Sequence, residues 1–141
     1  MSEDDSNRNP VALSALDHVN IRTERVDELA AFYADILGLK RGPRPPFTFG
    51  GAWLYCGDRA VVHLVEVEPG GGPQLRAIDP LELRLSHFAF RGSGLAAFLE
   101  RLKRAGIQHA VGKLPGAPIT QVNLRDLDGN ALHVDFTNEG D

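Results

Sequence analysis

The chain has 141 residues, 43% hydrophobic and 24% charged, with a formal net charge of −4. This suits a globular protein with one good core, and the absence of a basic patch argues against nucleic-acid binding. No stretch approaches the ~18 apolar residues of a membrane span, and the single cysteine, Cys56, excludes an intrachain disulfide and suits a reducing compartment.

Residues 1–13 open with Met1-Ser2-Glu3-Asp4-Asp5, which lacks the positive charge and apolar run of a secretory leader. They read as a disordered polar tail, and the protein is expected to be cytoplasmic. Residues 15–22 alternate as a strand, with Leu16, His18, Asn20 and Arg22 on one face and Asp17, Val19 and Ile21 on the other. From about residue 25 the period becomes helical: Val26, Leu29, Ala30, Tyr33, Ile36 and Leu37 form a stripe that Gly38 would end. Gly42-Pro43-Arg44-Pro45-Pro46 must be a loop, and strands are expected near 47–56 and 59–67 around Gly57-Asp58. Phe47, Phe49, Trp53 and Tyr55 alternate along the first of these, and Val61, His63, Val65 and Val67 share a face of the second.

Residues 69–82, rich in glycine and proline, read as a linker, after which the order repeats. A strand near 83–91 carries Leu85, His87, Ala89 and Arg91 on one face. Ser93 is a candidate N-cap for a helix with Leu95, Phe98, Leu99 and Leu102 at helical spacing, and Arg101, Lys103 and Arg104 read as its solvated face. Short strands follow near 107–111, 118–125 and 131–137, with Asp128-Gly129-Asn130 as the last hairpin turn. Ala131, His133 and Asp135 share one face of the final strand. The whole is α+β, two modules at 14–68 and 83–137.

Four of the five histidines keep the register of this repeat: 63 − 18 = 45 and 133 − 87 = 46. The surrounding sequence agrees, because Leu16-Asp17-His18 aligns with Leu85-Ser86-His87 and Leu29-Ala30-Ala31-Phe32 with Leu95-Ala96-Ala97-Phe98. One histidine in a strand is usually a packed structural residue. Four at equivalent positions, with polar neighbours along their strands, point instead to imidazoles lining a cavity and holding Zn, Fe, Cu or Ni rather than Mg or Ca. His109 has no repeat partner and is assigned to the surface, and Cys56 reads as a small buried residue. Trp53 offers a surface on which an aromatic or conjugated substrate could stack.

Leu16-Asp17-His18-Val19, Phe32-Tyr33 followed by Leu37-Gly38-Leu39, and Asp126-Leu127-Asp128-Gly129-Asn130-Ala131-Leu132-His133 resemble the vicinal oxygen chelate superfamily. That group includes glyoxalase I, extradiol dioxygenases and bleomycin-sequestering proteins. The resemblance implies two βαβββ modules curved into a half-open barrel around a shared cavity. It implies one divalent transition metal (Fe, Zn or Ni) held by His18, His63, His87 and His133. His63 is the one expected to drop out if only three ligate, since some relatives lack that ligand. The final ligand is usually glutamate in this family, where the chain has His133. An arginine four residues after the first ligand is present as Arg22, while the asparagine expected four after the second is Val67. A typical glyoxalase I is therefore not expected.

The leading expectation is a metal-dependent enzyme acting on a small oxygenated substrate chelated to the metal, by oxygenation or by isomerase or lyase proton transfer. Arg22 and Asp135 are the candidate catalytic groups. Asn20, Arg91, Gln121, Asn123 and Trp53 are the candidate substrate-binding groups. A metal-free sequestering protein of the bleomycin-resistance type is the first alternative, and a histidine-based pH-sensing interaction module the second. A homodimer is implied, with the site within one chain or across two.

Overall fold

The computed structural model describes residue 11 and residues 15–68 and 86–137. The expected tail, apart from residue 11, and the whole expected linker 69–82 lie outside the described residues, as do residues 14, 83–85 and 138–141. The first module runs β1 (Val19–Thr23), α1 (Val26–Asp35), β2 (Lys40–Gly42), β3 (Gly51–Cys56) and β4 (Arg59–Glu66). The second runs β5 (Phe88–Gly92), α2 (Leu95–Ala105), β6 (His109–Lys113), β7 (Ile119–Arg125) and β8 (Ala131–Thr137). The two sheets have the same order, β1-β4-β3-β2 and β5-β8-β7-β6, so the repeat read in the sequence is a repeat in space. In each, the first and last strands pair in parallel while the others pair antiparallel. Neither sheet closes on itself, which gives the half-open form.

Strand alternation sorts each sheet into two faces. Ala52, Leu54, Val62 and Leu64 of the first sheet and Val122, Leu132, Val134 and Phe136 of the second enter one buried cluster. Leu29, Ala30, Phe32 and Tyr33 of α1 and Phe98 and Leu102 of α2 complete it. The two modules thus share one core. Polar links tie them together there: Tyr33 donates from Oη to Asp126 at 2.7 Å, Arg25 to Asp128 at 2.9 Å, and Arg101 to the Ile36 carbonyl at 3.1 Å. Burial, with the Asp126 carboxylate beside it, pushes the Tyr33 hydroxyl far above its usual pKa, so it stays a donor. Gly38 (φ 79°) and Gly106 (φ 70°) turn the chain in the left-handed region where α1 and α2 end.

Several sequence expectations need correction. β2 belongs to the βαβββ module that the resemblance implies, but no pattern placed it, because three residues, Lys40-Arg41-Gly42, are too short to show a period. Phe47 and Phe49 lie in the loop before β3 rather than in the strand. Their rings stack at 4.7 Å and the Arg44 guanidinium sits over both, 5.0 and 5.5 Å from their centroids. The alternation there records a cation–aromatic cluster, not a pleat. Gly94 (φ 87°), not Ser93, occupies the N-cap of α2, with no side-chain cap bond. Arg101 reaches the other module rather than only solvent. Cys56 ends β3 at the turn and is exposed.

Candidate functional site

His63 and His133 stand on the face of their sheet that turns away from the shared core, whereas His18 and His87, expected inside strands, come just before β1 and β5 and set their rings against those two. On the first sheet the register places Asn20, His63 and Trp53 side by side across β1, β4 and β3, with His18 and Arg22 two residues either side of Asn20. On the second, Ala89, His133, Asn123 and Ala110 lie level, and Arg91, Asp135 and Gln121 form the next row. Every candidate site residue from the sequence is therefore on or against one of these two faces. An open cleft of about 1080 Å³ runs along the second, lined by His87, His133, Gln121 and Asn123, with His109 exposed at its rim.

The histidines meet in two pairs. His18 and His63 stack with centroids 3.9 Å apart and planes within 10°. His63 also stacks on Trp53, at 3.9 Å and 11°. His87 and His133 stand 4.9 Å apart with their planes inclined by 41°, an arrangement from which two ring nitrogens can converge on one ion. The pairs do not meet each other within the chain: among the described residues no group of three or more His, Cys, Asp or Glu is placed to hold a metal. The shared core explains this, since it turns the two histidine faces outward.

Hydrogen bonds set the ring orientations. His18 donates from Nδ1 to the Asp17 carboxylate at 2.8 Å, and His133 from Nδ1 to Asp135 at 2.6 Å. His87 Nδ1 lies 3.0 Å from the Ser86 hydroxyl. In all three the Nδ1 side has a local partner, and with the proton on Nδ1 the lone pair is on Nε2. This is the usual arrangement behind a metal-bound imidazole, in which an oxygen partner fixes the tautomer and raises ligand basicity. His63 is the reverse: its Nε2 donates to the Ala60 carbonyl at 3.0 Å. Burial, then the neighbouring His18, lowers its pKa and favours the neutral ring. The His18 hydrogen bond holds the Asp17 carboxyl below its ordinary range.

Two of these groups were missed from sequence. Asp17 and Ser86 were read as strand residues of the opposite face, yet each bonds the histidine that follows it. The signal was in the repeat alignment, where a short polar residue precedes both first-strand histidines. Asp17 and Asp135 also answer a charge problem. Four neutral imidazoles would leave a dication uncompensated, and two carboxylates one bond behind the rings place negative charge next to it.

Residues 15–134 match the Glyoxalase/Bleomycin resistance protein/Dioxygenase superfamily. The chain belongs to this superfamily. A curated superfamily relative, Glyoxylase I 4 of Arabidopsis thaliana, is 31% identical over 129 residues, covering 89% of this chain and 72% of that protein. A glyoxylase/bleomycin resistance protein/dioxygenase domain from Frankia sp. EAN1pec superposes with a TM-score of 0.71 at 27% identity, covering 92% of this chain and 96% of its own. TnmS3, an antibiotic binding protein from Streptomyces sp. CB03234, shares the fold at 18% identity and a TM-score of 0.64, covering 90% and 98% of the two chains. The superfamily scaffold thus carries differently named proteins, and the choice among functions rests on the site.

Proposed function

We propose that the chain is a metal-dependent enzyme of this superfamily, acting on a small organic substrate through two adjacent oxygens, with each site assembled between two copies of the chain. The observation that carries this reading is the pairing of His87 and His133: rings 4.9 Å apart and inclined by 41°, each with a local partner at Nδ1, and both lining an open cleft. His18 has the same arrangement on the other module's outward face. A second copy that lays its first sheet over this cleft would bring His18 and His63 to His87 and His133.

The donor set is imidazole nitrogen backed by carboxylate, which suits Zn, Fe or Ni better than Mg or Ca. When bound, such an ion polarises the chelated oxygens as a Lewis acid. The chain's own residues do the rest. Asp135 fixes His133 through one carboxylate oxygen and can take a substrate proton on the other. Arg22 and Arg91, each four residues after the first histidine of its module, supply positive charge to an anionic substrate or intermediate. Gln121 and Asn123 line the cleft and orient polar groups, Asn20 does so from the first module, and Trp53 gives an aromatic wall.

Elemental analysis of the purified chain beside a His87→Ala/His133→Ala variant tests the metal, with about one equivalent per chain expected and lost in the variant. Mixing His18→Ala chains with His133→Ala chains tests the assembly. A site shared between copies regains metal, because one of the two sites in a mixed dimer keeps every histidine. A site within one chain regains none. Iron directs the assay to oxygen uptake, and zinc or nickel to isomerase and lyase chemistry. A chain that neither carries nor takes up metal overturns the enzyme proposal and leaves a sequestering protein.

A further inference from the structure

His63 sits between two rings. His18 lies on one side and Trp53 on the other, both with centroids 3.9 Å away and planes within 11° of its own. Ligation is constrained by this stack. The lone pair of an imidazole nitrogen lies in the ring plane, and a zinc ion bound along it sits at ~2.0–2.1 Å. Two rings in nearly parallel planes 3.9 Å apart cannot both direct such a lone pair at one ion without unstacking. The hydrogen bonds separate them further. His18 is anchored at Nδ1 and offers Nε2, like His87 and His133, whereas His63 has its Nε2 bonded to the Ala60 carbonyl inside the sheet.

The three rings also differ in how firmly the backbone holds them. Trp53 and His63 stand on β3 and β4, the two central strands of the first sheet, and His63 is buried. His18 precedes β1, an edge strand, and is exposed. Outside the strand ladder, its ring is held by two contacts, the Asp17 bond at Nδ1 and the flat face of His63.

We propose that His63 and Trp53 are positioning residues: a stacked wall that fixes the ring of His18, which alone of its pair offers a nitrogen to the metal. The proposal rests on the metal-dependent reading above. It assigns the first module one ligand and the second module two, leaving the remaining coordination positions to water or substrate oxygens.

Cobalt(II) binding by the full chain, followed by equilibrium dialysis and visible absorption, tests it. His63→Phe keeps a flat ring and removes both nitrogens, while His63→Ala removes the ring. Trp53→Phe and Trp53→Ala make the same comparison one layer back. On the scale of outer-shell substitutions, the two Ala variants should bind about 10–100-fold more weakly, and both Phe variants within about threefold of the unaltered chain with unchanged cobalt bands. His18→Phe should lose binding by far more. Cobalt bands shifted toward fewer nitrogen ligands in His63→Phe, or binding as weak as in His18→Phe, would overturn the proposal. If His63→Phe fails to fold, the Trp53 pair decides: normal binding by Trp53→Ala refutes a positioning wall. Absence of cobalt binding by the unaltered chain is a different outcome, which overturns the metal reading itself.

Discussion

Replacing Tyr33 with phenylalanine isolates the principal buried link between the modules. Tyr33 is fully buried, and its hydroxyl donates at 2.7 Å to Asp126, itself only 5% exposed. The carboxylate accepts three further bonds, from Asp128 N, Asn130 N and Asn130 Nδ2, so the substitution removes one of four donors and leaves no charge unsolvated. The ring remains, so no large cavity forms. What is lost is a hydrogen bond to a charged acceptor, ~1.5–3 kcal/mol, and a value near 2 kcal/mol follows because the other three donors persist. At a few degrees per kcal/mol for a chain of this size, Tm should fall by roughly 6–8 °C. Urea unfolding at fixed protein concentration, with chelator present, is the assay, so that metal and partner binding do not enter the comparison. The wild-type protein should also lose stability as pH rises above about 10. The folded-state pKa of Tyr33 is raised, so its contribution is complete below the unfolded value and lost above it. Tyr33→Phe should lose that alkaline slope. A destabilisation under about 0.5 kcal/mol would refute the view that this bond clamps the modules together.

Two further outcomes follow from geometry described above. Asp135→Asn keeps the shape but removes the charge behind His133, and metal affinity measured by competition with a chelator should fall about 10–100-fold. Gly106→Ala places a Cβ in open space but at φ 70°, so calorimetry should show a cost of ~1–2 kcal/mol from conformation alone.

The chemistry-bearing faces were legible because they obey local rules. A period of two placed Asn20, Arg22, His63, Asp135 and their neighbours on the face away from the core, and the repeat marked the histidine positions, though within the chain these form two separate pairs rather than one set. The second strand of the first module was not legible from pattern: Lys40-Arg41-Gly42 has no hydrophobic period, and its place is set by pairing with β3. Phe47 and Phe49 misled for the opposite reason, an alternation made by contacts with Arg44 rather than by a pleat. Nor could the chain show which way the faces point. That depends on Tyr33 meeting Asp126 and Arg25 meeting Asp128, pairings 93 and 103 residues apart that no local pattern announces. The His18–His63–Trp53 stack is of the same kind, since it needs three strands in register before any ring finds its neighbour.

The latch between modules also bears on how relatives of this chain are compared. The run Asp126-Leu127-Asp128-Gly129-Asn130 is among its most recognisable stretches, and it reads like an active-site signature. In the fold it anchors Tyr33 and Arg25 through Asp126, the Leu127 carbonyl and Asp128, and closes the β7–β8 turn. Its hydrogen bonds hold the architecture, and Leu127 alone of the run lines the cleft beside His87 and His133. A descendant could therefore exchange every candidate ligand and still carry this run intact. Used as a diagnostic, it reports ancestry and shape. The chemistry proposed for this chain lies elsewhere, in Asp17 with His18, Ser86 with His87, and His133 with Asp135.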